Sequence, residues 1–133
     1  MPRFSPVVVD HFTNPRNSGE LHAPDVNAFV GNPVCGDQIL LTARVVADKV
    51  TQIGFRAYGC SASLAVASLL TTILQDSAIQ DIAQIDARRI EELAGGFAPD
   101  QQHVAELGAD VARRLAHNHQ TGKRDDNPIT CSV

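Results

Sequence analysis

The sequence has little of what a nucleic-acid-binding or membrane-binding protein needs. Its 133 residues carry 11 Lys and Arg against 15 Asp and Glu, which gives a formal net charge of −4. Proteins of those two classes require clustered positive charge to contact phosphate groups. The basic pair Lys123-Arg124 does not provide such a cluster, because Asp125-Asp126 follows it directly. We therefore predict neither a nucleic-acid partner nor a membrane partner.

A membrane-spanning run and a secretory leader are also missing from the sequence. The apolar run that ends at Leu74 is too short to cross a bilayer and too long for one strand, so it predicts a buried helix. The N-terminus shows no charged segment followed by an apolar stretch and a cleavage site, which predicts no secretory signal. A cytoplasmic location is the resulting expectation.

Cysteine is scarce, and its three copies are spread over the chain as Cys35, Cys60 and Cys131. An odd number of widely spaced cysteines does not make a disulfide framework. In a reducing compartment such cysteines are better explained by metal binding or catalysis. The cysteines are therefore the first residues to consider for function.

Apolar and polar residues alternate in two neighbouring segments, Ile39 to Val45 and Val50 to Tyr58, which is the pattern of strands with one buried face. Ala28 to Val30 is an earlier candidate strand, and Gly31-Asn32-Pro33 ends it. The connections are short, and Ala47-Asp48-Lys49 is the expected turn between the last two strands. These segments predict a three-stranded antiparallel sheet.

Helix signals lie on both sides of these strands. Ser5-Pro6 is an expected helix start, and Asn14-Pro15 is the expected end of that helix. Ser77 is a candidate cap for one short helix, and Asp86 is a candidate cap for another that ends at Gly95-Gly96. The longest helix follows, and its predicted apolar face comprises Val104, Leu107, Gly108, Val111 and Leu115.

The length and the 44% apolar composition fit one compact domain. The predicted architecture is an α+β domain over residues 1–120, in which helices cover the antiparallel sheet. Residues 121–133 are polar and turn-forming without periodicity, which predicts a flexible C-terminal tail.

Cys60 is expected at the junction between the last strand and the buried helix. A thiol at that position faces unpaired backbone N–H groups and the positive end of the helix dipole, both of which favour the thiolate. Gly59 lets the backbone turn sharply and leaves room beside the sulfur. The alternative is that Cys60 is a small buried core residue.

A second thiol stands in the tight loop from Gly31 to Asp37. Cys35 and Asp37 are two residues apart, so both side chains could reach one metal ion. The alternative for Asp37 is a turn residue that hydrogen-bonds its own backbone. If Cys60 converges on the same loop, two thiols and a carboxylate make up most of a four-coordinate metal site.

Five different short motifs are distributed over most of the chain, and their combination is specific. They are Val9 to Phe12, Asn14 to Asn17, Gly31 to Asp37, Phe55 to Ser61, and the helix from His103 to Ala116. In this combination the chain resembles the scaffold proteins of iron–sulfur cluster assembly. This is the U-type family, which also forms the N-terminal domain of the larger nitrogen-fixation scaffold. The resemblance implies a SufE/NifU-like fold and a scaffold rather than a turnover enzyme.

The resemblance also implies a cargo and a set of ligands. A [2Fe-2S] cluster would be built from iron and from sulfur delivered by a cysteine desulfurase, and then passed to acceptor apo-proteins. Cys35 and Cys60 would be cluster ligands, and Asp37 would tune how readily the cluster leaves. Thiolates hold such clusters, whereas an oxygen ligand is weaker on iron and eases transfer. Zinc can occupy the same site, and some family members are suspected to act as zinc-bound sulfur acceptors.

The chain departs from the family pattern at its third cysteine. Family members have a histidine followed directly by that cysteine at the start of the long helix, where this chain has His103-Val104. The imidazole of His103 suits zinc or iron and is one candidate replacement, with a solvated helix residue as the alternative. Cys131 is another candidate, with an exposed free thiol near the chain end as the alternative.

A second departure concerns a partner. The family's leucine-proline-proline-containing stretch, which recruits a specialised chaperone, is replaced here by Phe97-Ala98-Pro99-Asp100. This replacement argues against the chaperone as a partner.

Three hypotheses of different classes follow. The first is a cluster scaffold that uses Cys35, Asp37 and Cys60, with His103 as a candidate further ligand. The second is a zinc-binding sulfur acceptor, in which Cys35 or Cys60 takes a persulfide from the desulfurase. The third is a non-catalytic partner that binds the desulfurase without assembling a cluster.

Overall fold

The structure is a computed structural model that describes residues 5–32, 36–59, 61–97 and 102–122. Within these ranges the chain forms one helix before and four helices after three consecutive strands, which confirms the predicted α+β class. The elements are α1 (Pro6–Thr13), β1 (Val26–Asn32), β2 (Asp37–Val46), β3 (Lys49–Tyr58), α2 (Ser61–Leu74), α3 (Ile79–Ile82), α4 (Ala87–Ala94) and α5 (Gln102–Thr121).

The three strands lie side by side in chain order, and both neighbouring pairs are antiparallel. Leu41 in the central strand lies opposite Ala28 of β1 and Phe55 of β3. Ala47 and Asp48 form the turn between β2 and β3 with φ of 53° and 59°. Two left-handed residues in succession are typical of a tight hairpin turn. The predicted three-stranded antiparallel sheet is therefore confirmed.

Helices α2 and α5 pack against one face of the sheet and against each other. They approach closely at Gly108, where a Cβ atom would lie 2.8 Å from Cγ1 of Val66. Phe55 is 1% exposed, and burying a side chain of this size contributes about 1.5–3 kcal/mol. The predicted apolar face of the longest helix is buried, as expected; its members are Val104, Leu107, Gly108, Val111 and Leu115.

The outer edge of β3 is paired with irregular segments at two points. Phe55 exchanges backbone hydrogen bonds of 2.7 and 3.1 Å with residues 17–19, and Val50 exchanges bonds of 2.7 and 2.9 Å with residues 76–77. These bonds satisfy backbone groups that an edge strand would otherwise leave open. They also tie the connection after α1 and the connection after α2 to the sheet.

Two of the predicted helix caps are confirmed. The hydroxyl of Ser5 accepts a hydrogen bond of 3.1 Å from the N–H of Val8, and a carboxylate oxygen of Asp86 accepts one of 2.9 Å from the N–H of Arg89. Each side chain satisfies a backbone donor that the first turn of a helix leaves unpaired. Gly95 ends α4 with φ of 83°, as the sequence predicted.

The cap predicted at Ser77 is wrong. The helix α3 begins after Ala78, and no side chain there accepts a capping hydrogen bond. The Ser77 hydroxyl instead donates to the carbonyl of Ile73 at 2.7 Å. Because α2 ends at Leu74, its last carbonyls lack partners within the helix, and the hydroxyl reaches one of them.

Across the four described ranges, we find no helix with both the length and the apolar character needed to cross a bilayer. The helix α5 continues to Thr121. Residues 123–133, which make up most of the predicted tail, lie outside the described residues. The division of the chain near residue 120 therefore stays a prediction.

Candidate functional site

Asp37 is a buried carboxylate at the start of β2. It lies opposite Asn32 of β1, and only 2% of its surface is exposed. Moving a carboxylate out of water is costly unless the group gains hydrogen bonds or a charged partner. Asp37 therefore needs a polar or charged partner at this end of the sheet, where β2 begins.

His103 supplies a partner from the start of α5. It is the second residue of α5, and its Nε2 lies 2.7 Å from Oδ2 of Asp37. The imidazole is 32% exposed, whereas the carboxylate side chain is 2% exposed. Two of the four predicted site residues are thus in direct contact, although 66 positions separate them. Metal binding by this pair stays a prediction.

Gly59 completes this corner of the domain. Gln38 lies opposite Tyr58 in the sheet, so Gly59 directly follows the last paired residue of β3 beside the start of β2. Its φ is 120°, and a Cβ atom there would lie 2.8 Å from the Cα and 3.0 Å from the Cγ of Asp37. The sequence analysis expected the missing side chain of Gly59 to leave space beside the Cys60 sulfur. Among the described residues, the atoms next to that space belong to Asp37. We call Asp37, Gly59 and His103 the site corner.

The predicted thiol ligands cannot be placed in the same way. Cys35, Cys60 and Cys131 all lie outside the described residues. Among residues 5–32, 36–59, 61–97 and 102–122, no three His, Cys, Asp or Glu side chains come together in a group that could hold a metal ion. The roles of Cys35 and Cys60 as ligands, and of Cys131 as a replacement, stay predictions.

Val104 has the surroundings of a core residue. It is fully buried and belongs to the same apolar cluster as Leu107 and Val111. Its neighbour His103 contacts Asp37, whereas Val104 packs into the core, because successive residues of a helix face different directions. Position 104 therefore contributes apolar packing behind the site and no donor atom.

A second histidine, which is buried, was not assigned a role by the sequence. His11 of α1 is 8% exposed, and its Nδ1 lies 2.8 Å from the hydroxyl oxygen of Ser68 in α2. That hydroxyl also accepts a hydrogen bond of 2.8 Å from the N–H of Arg16. The Asn17 side chain donates to the Thr71 hydroxyl at 3.0 Å, one helical turn further along α2. We call these five residues the N-terminal clasp.

The clasp has its own electrostatics. Burial, and secondly the Arg16 guanidinium, lowers the pKa of His11, although Asp10 opposes this change. A neutral ring suits the geometry, since Ser68 accepts from Arg16 and keeps its own proton to donate to Nδ1. Arg16 also forms a 2.7 Å ion pair with Asp10, and that hydrogen bond lowers the pKa of the Asp10 carboxyl. The Asn14 to Asn17 motif is therefore largely a structural connection.

A signal for the clasp was present in the sequence. Ser68 and Thr71 are polar residues three positions apart on the buried side of α2, which is mostly apolar and carries one further polar residue, Ser63. Residues with this spacing lie on one face of a helix. Buried hydroxyls need hydrogen-bond partners, which predicts a polar segment packed against that face.

Residues 3–125 match the sequence profile of the family described as NifU-like N terminal domain. The chain is 35% identical over 124 residues to the iron-sulfur cluster assembly scaffold protein IscU 1 of Archaeoglobus fulgidus, with 92% of this chain and 81% of that protein covered. It is 36% identical over 125 residues to the bifunctional protein NifU/MnmA of Rubrobacter xylanophilus. That alignment covers 92% of this chain, which spans only 26% of the longer protein.

A solved structure gives the fold comparison. The crystal structure of a nitrogen-fixing NifU-like protein (N-terminal) from Brucella abortus superposes with a TM-score of 0.70 over 88% of this chain and 94% of that chain, at 16% identity. The architecture is therefore an α+β fold shared with this NifU-like protein. The profile match and the similarity to the Archaeoglobus protein go further: the chain belongs to the NifU-like N-terminal domain family.

Proposed function

We propose that this protein is a scaffold for iron–sulfur cluster assembly, and not a turnover enzyme. It holds iron or a [2Fe-2S] cluster and passes it to acceptor apo-proteins. The observation that carries the proposal is the 2.7 Å contact between the buried Asp37 carboxylate and the half-buried His103 imidazole. Relatives at 33–35% identity are named scaffold proteins of this pathway, which supports the same role here.

The residues around the site corner fit such a cargo. Cys60 directly follows Gly59, and Gly36 alone separates Cys35 from Asp37. Both cysteines are therefore joined to residues of the site corner by no more than two peptide bonds, which limits their distance from it. Thiolates, an imidazole and a carboxylate are donors that iron and zinc both accept. We therefore propose Cys35, Asp37, Cys60 and His103 as the ligand set.

The mixed donor set suits transfer as well as binding. Cys35 and Cys60 would hold the cluster, while Asp37 is the weaker oxygen ligand that allows it to leave. Position 104 offers no thiol, so His103 takes the place of the third family cysteine. Cys131 is the alternative for that place.

The partners that we propose are those that the family resemblance implies. A cysteine desulfurase supplies the sulfur, and acceptor apo-proteins receive the cluster. The chaperone-recruiting stretch of the family is absent from the sequence at Phe97 to Asp100, so assembly would proceed without that chaperone. We propose a cytoplasmic location for this exchange.

The test is anaerobic reconstitution of the purified protein with iron and sulfide, followed by metal analysis and visible absorption. We expect stable iron and sulfide with charge-transfer bands. A chain truncated after Gln120 and the Cys131→Ser variant are compared with it. Retention of the bands in both excludes Cys131 as the remaining ligand and leaves His103 as the candidate, whereas their loss in both assigns the ligand to Cys131.

A zinc-binding sulfur acceptor is the second candidate, and the His103 imidazole next to a carboxylate favours it, since zinc readily takes both donors. In that case the protein would stay colourless, hold about one zinc ion per chain and become persulfidated by the desulfurase. A protein that retains neither metal would instead be a binding partner of the desulfurase, which would contradict the scaffold proposal.

A further inference from the structure

Gly59 sits against the one carboxylate of the proposed site with no space between them. We propose that Gly59 is a positioning residue: its missing side chain allows the Asp37 carboxylate to keep the conformation in which it contacts His103. The inference concerns the contact itself, and it rests on the proposed function only where metal binding is used as a measurement.

The Asp37 carboxylate is enclosed from two sides. Its Oδ2 lies 2.7 Å from Nε2 of His103 at the start of α5. Its other oxygen, Oδ1, is the closest atom to the position that a Cβ of residue 59 would occupy. The carboxylate therefore fills the gap between the end of β3 and the start of α5, and it fills it only because residue 59 ends at Cα.

The atoms that a larger residue would meet cannot easily move away. Besides Oδ1, they are the Cα of Asp37 at 2.8 Å and its Cγ at 3.0 Å. The Cα is part of the β2 backbone, which is held by its pairing with β1. A side chain shifts more readily than this paired backbone, and rotating the Asp37 side chain would take Oδ2 away from His103.

Backbone strain can be separated from this collision. Gly59 has φ of 120°, so any L-residue there is strained whatever the surrounding space. Gly19 has a similar φ of 105°, but a Cβ atom there meets nothing within 4 Å. A Gly19→Ala variant therefore has the strain without the collision, and it is the matched control for Gly59→Ala.

The test measures zinc affinity by competition with a chromophoric chelator. We expect Gly59→Ala to weaken zinc binding about 10–100-fold, the range seen when a residue that orients a ligand is lost. Gly19→Ala should bind zinc as the unchanged protein does. Equal affinities for the two glycine variants would overturn the proposal.

A double-mutant cycle shows whether Gly59 acts through Asp37. In an Asp37→Ala background the collisions with Oδ1 and Cγ are gone and only the one with the Cα remains, so adding Gly59→Ala should weaken zinc binding much less than it does in the unmodified background. A loss as large as in the unmodified background would mean that residue 59 acts on the site by another route, which would contradict the inference.

Two further measurements keep the result interpretable. If the unchanged protein binds no zinc, the proposed metal site is contradicted. The nitrogen-15 chemical shifts of the His103 ring, measured at one fixed pH, then test whether Gly59 maintains the contact between Asp37 and His103. Gly59→Ala should shift them as Asp37→Ala does, and unchanged signals would overturn the inference. If Gly59→Ala does not fold, the Asp37→Ala, Gly59→Ala double variant, which lacks the collisions with Oδ1 and Cγ, should recover helical structure measured by circular dichroism, and no recovery would likewise contradict the proposal.

Discussion

The N-terminal clasp and the site corner both pair a histidine with a residue far away in sequence, but they differ in partner and in exposure. In the clasp, His11 is 8% exposed and faces the Ser68 hydroxyl. In the site corner, His103 is 32% exposed and faces a carboxylate that is almost fully buried. A buried ring with a neutral partner stabilises packing, whereas a ring that reaches solvent beside a buried carboxylate can offer donor atoms to a ligand.

The comparison is tested most strongly by exchanging the two histidines for alanine. We expect His103→Ala to lower zinc affinity by at least about tenfold, because a donor and the partner of Asp37 are lost together. His11→Ala should leave zinc affinity unchanged and lower the free energy of unfolding. Chelator competition and urea denaturation of both variants measure the two effects. Equal losses of zinc affinity would show that the two histidines do not have separate roles.

Removing the hydroxyl of Ser68 should affect stability alone. In Ser68→Ala the His11 ring and the Arg16 N–H lose a shared partner, which costs about 1–3 kcal/mol of unfolding free energy. Thr72→Ala is the matched control, since that hydroxyl bonds to the Leu69 carbonyl within the same helix. Urea denaturation of both variants is the measurement. Similar midpoints for the two would contradict a stabilising role of the clasp.

Acid should weaken the clasp in a defined direction. The pKa of His11 is lowered in the folded protein from an ordinary value of 6.5, so on acidification the unfolded chain takes up a proton first. Stability should therefore fall as the pH drops below about 6.5 and level off below the folded pKa. His11→Gln should remove this component, whereas His22→Gln, at an exposed position, should retain it. Urea midpoints between pH 7.5 and 5 provide the check.

The smallest effect is expected from the ion pair beside the clasp. Asp10 and Arg16 are about half exposed, and exposed ion pairs contribute little because water and salt screen them. Asp10→Asn should shift the urea midpoint less than Ser68→Ala does, and raising the salt concentration should shift the midpoint of the unchanged protein little. A loss as large as that in Ser68→Ala would show that Asp10 has a structural role in the clasp.

The sheet and the main helices could be predicted because their signals are local. Alternation in Ile39 to Val45 and the caps at Ser5 and Asp86 depend on residues that are close in sequence. Ser77 misled the prediction for the same reason, since a serine before a helix can bond to the carbonyls behind it as well as to the amides ahead.

The two histidine contacts show where local signals end. Nothing in the spacing of Asp37 and His103 predicts that they meet; only the family resemblance placed them in one site. The contact of His11 with Ser68 joins residues 57 positions apart and depends on how α1 docks on α2. Such contacts are products of tertiary packing, and a single sequence specifies them only indirectly.

The backbone pairing along the outer edge of β3 has a consequence for behaviour in a crowded cell. A free strand edge is a template on which a strand of another molecule can add and start an aggregate. Here residues 17–19 and 76–77 already occupy two stretches of that edge. An incoming strand would have to displace both segments before it could pair along β3, so this edge is protected against the intermolecular β-sheet growth that leads to amyloid.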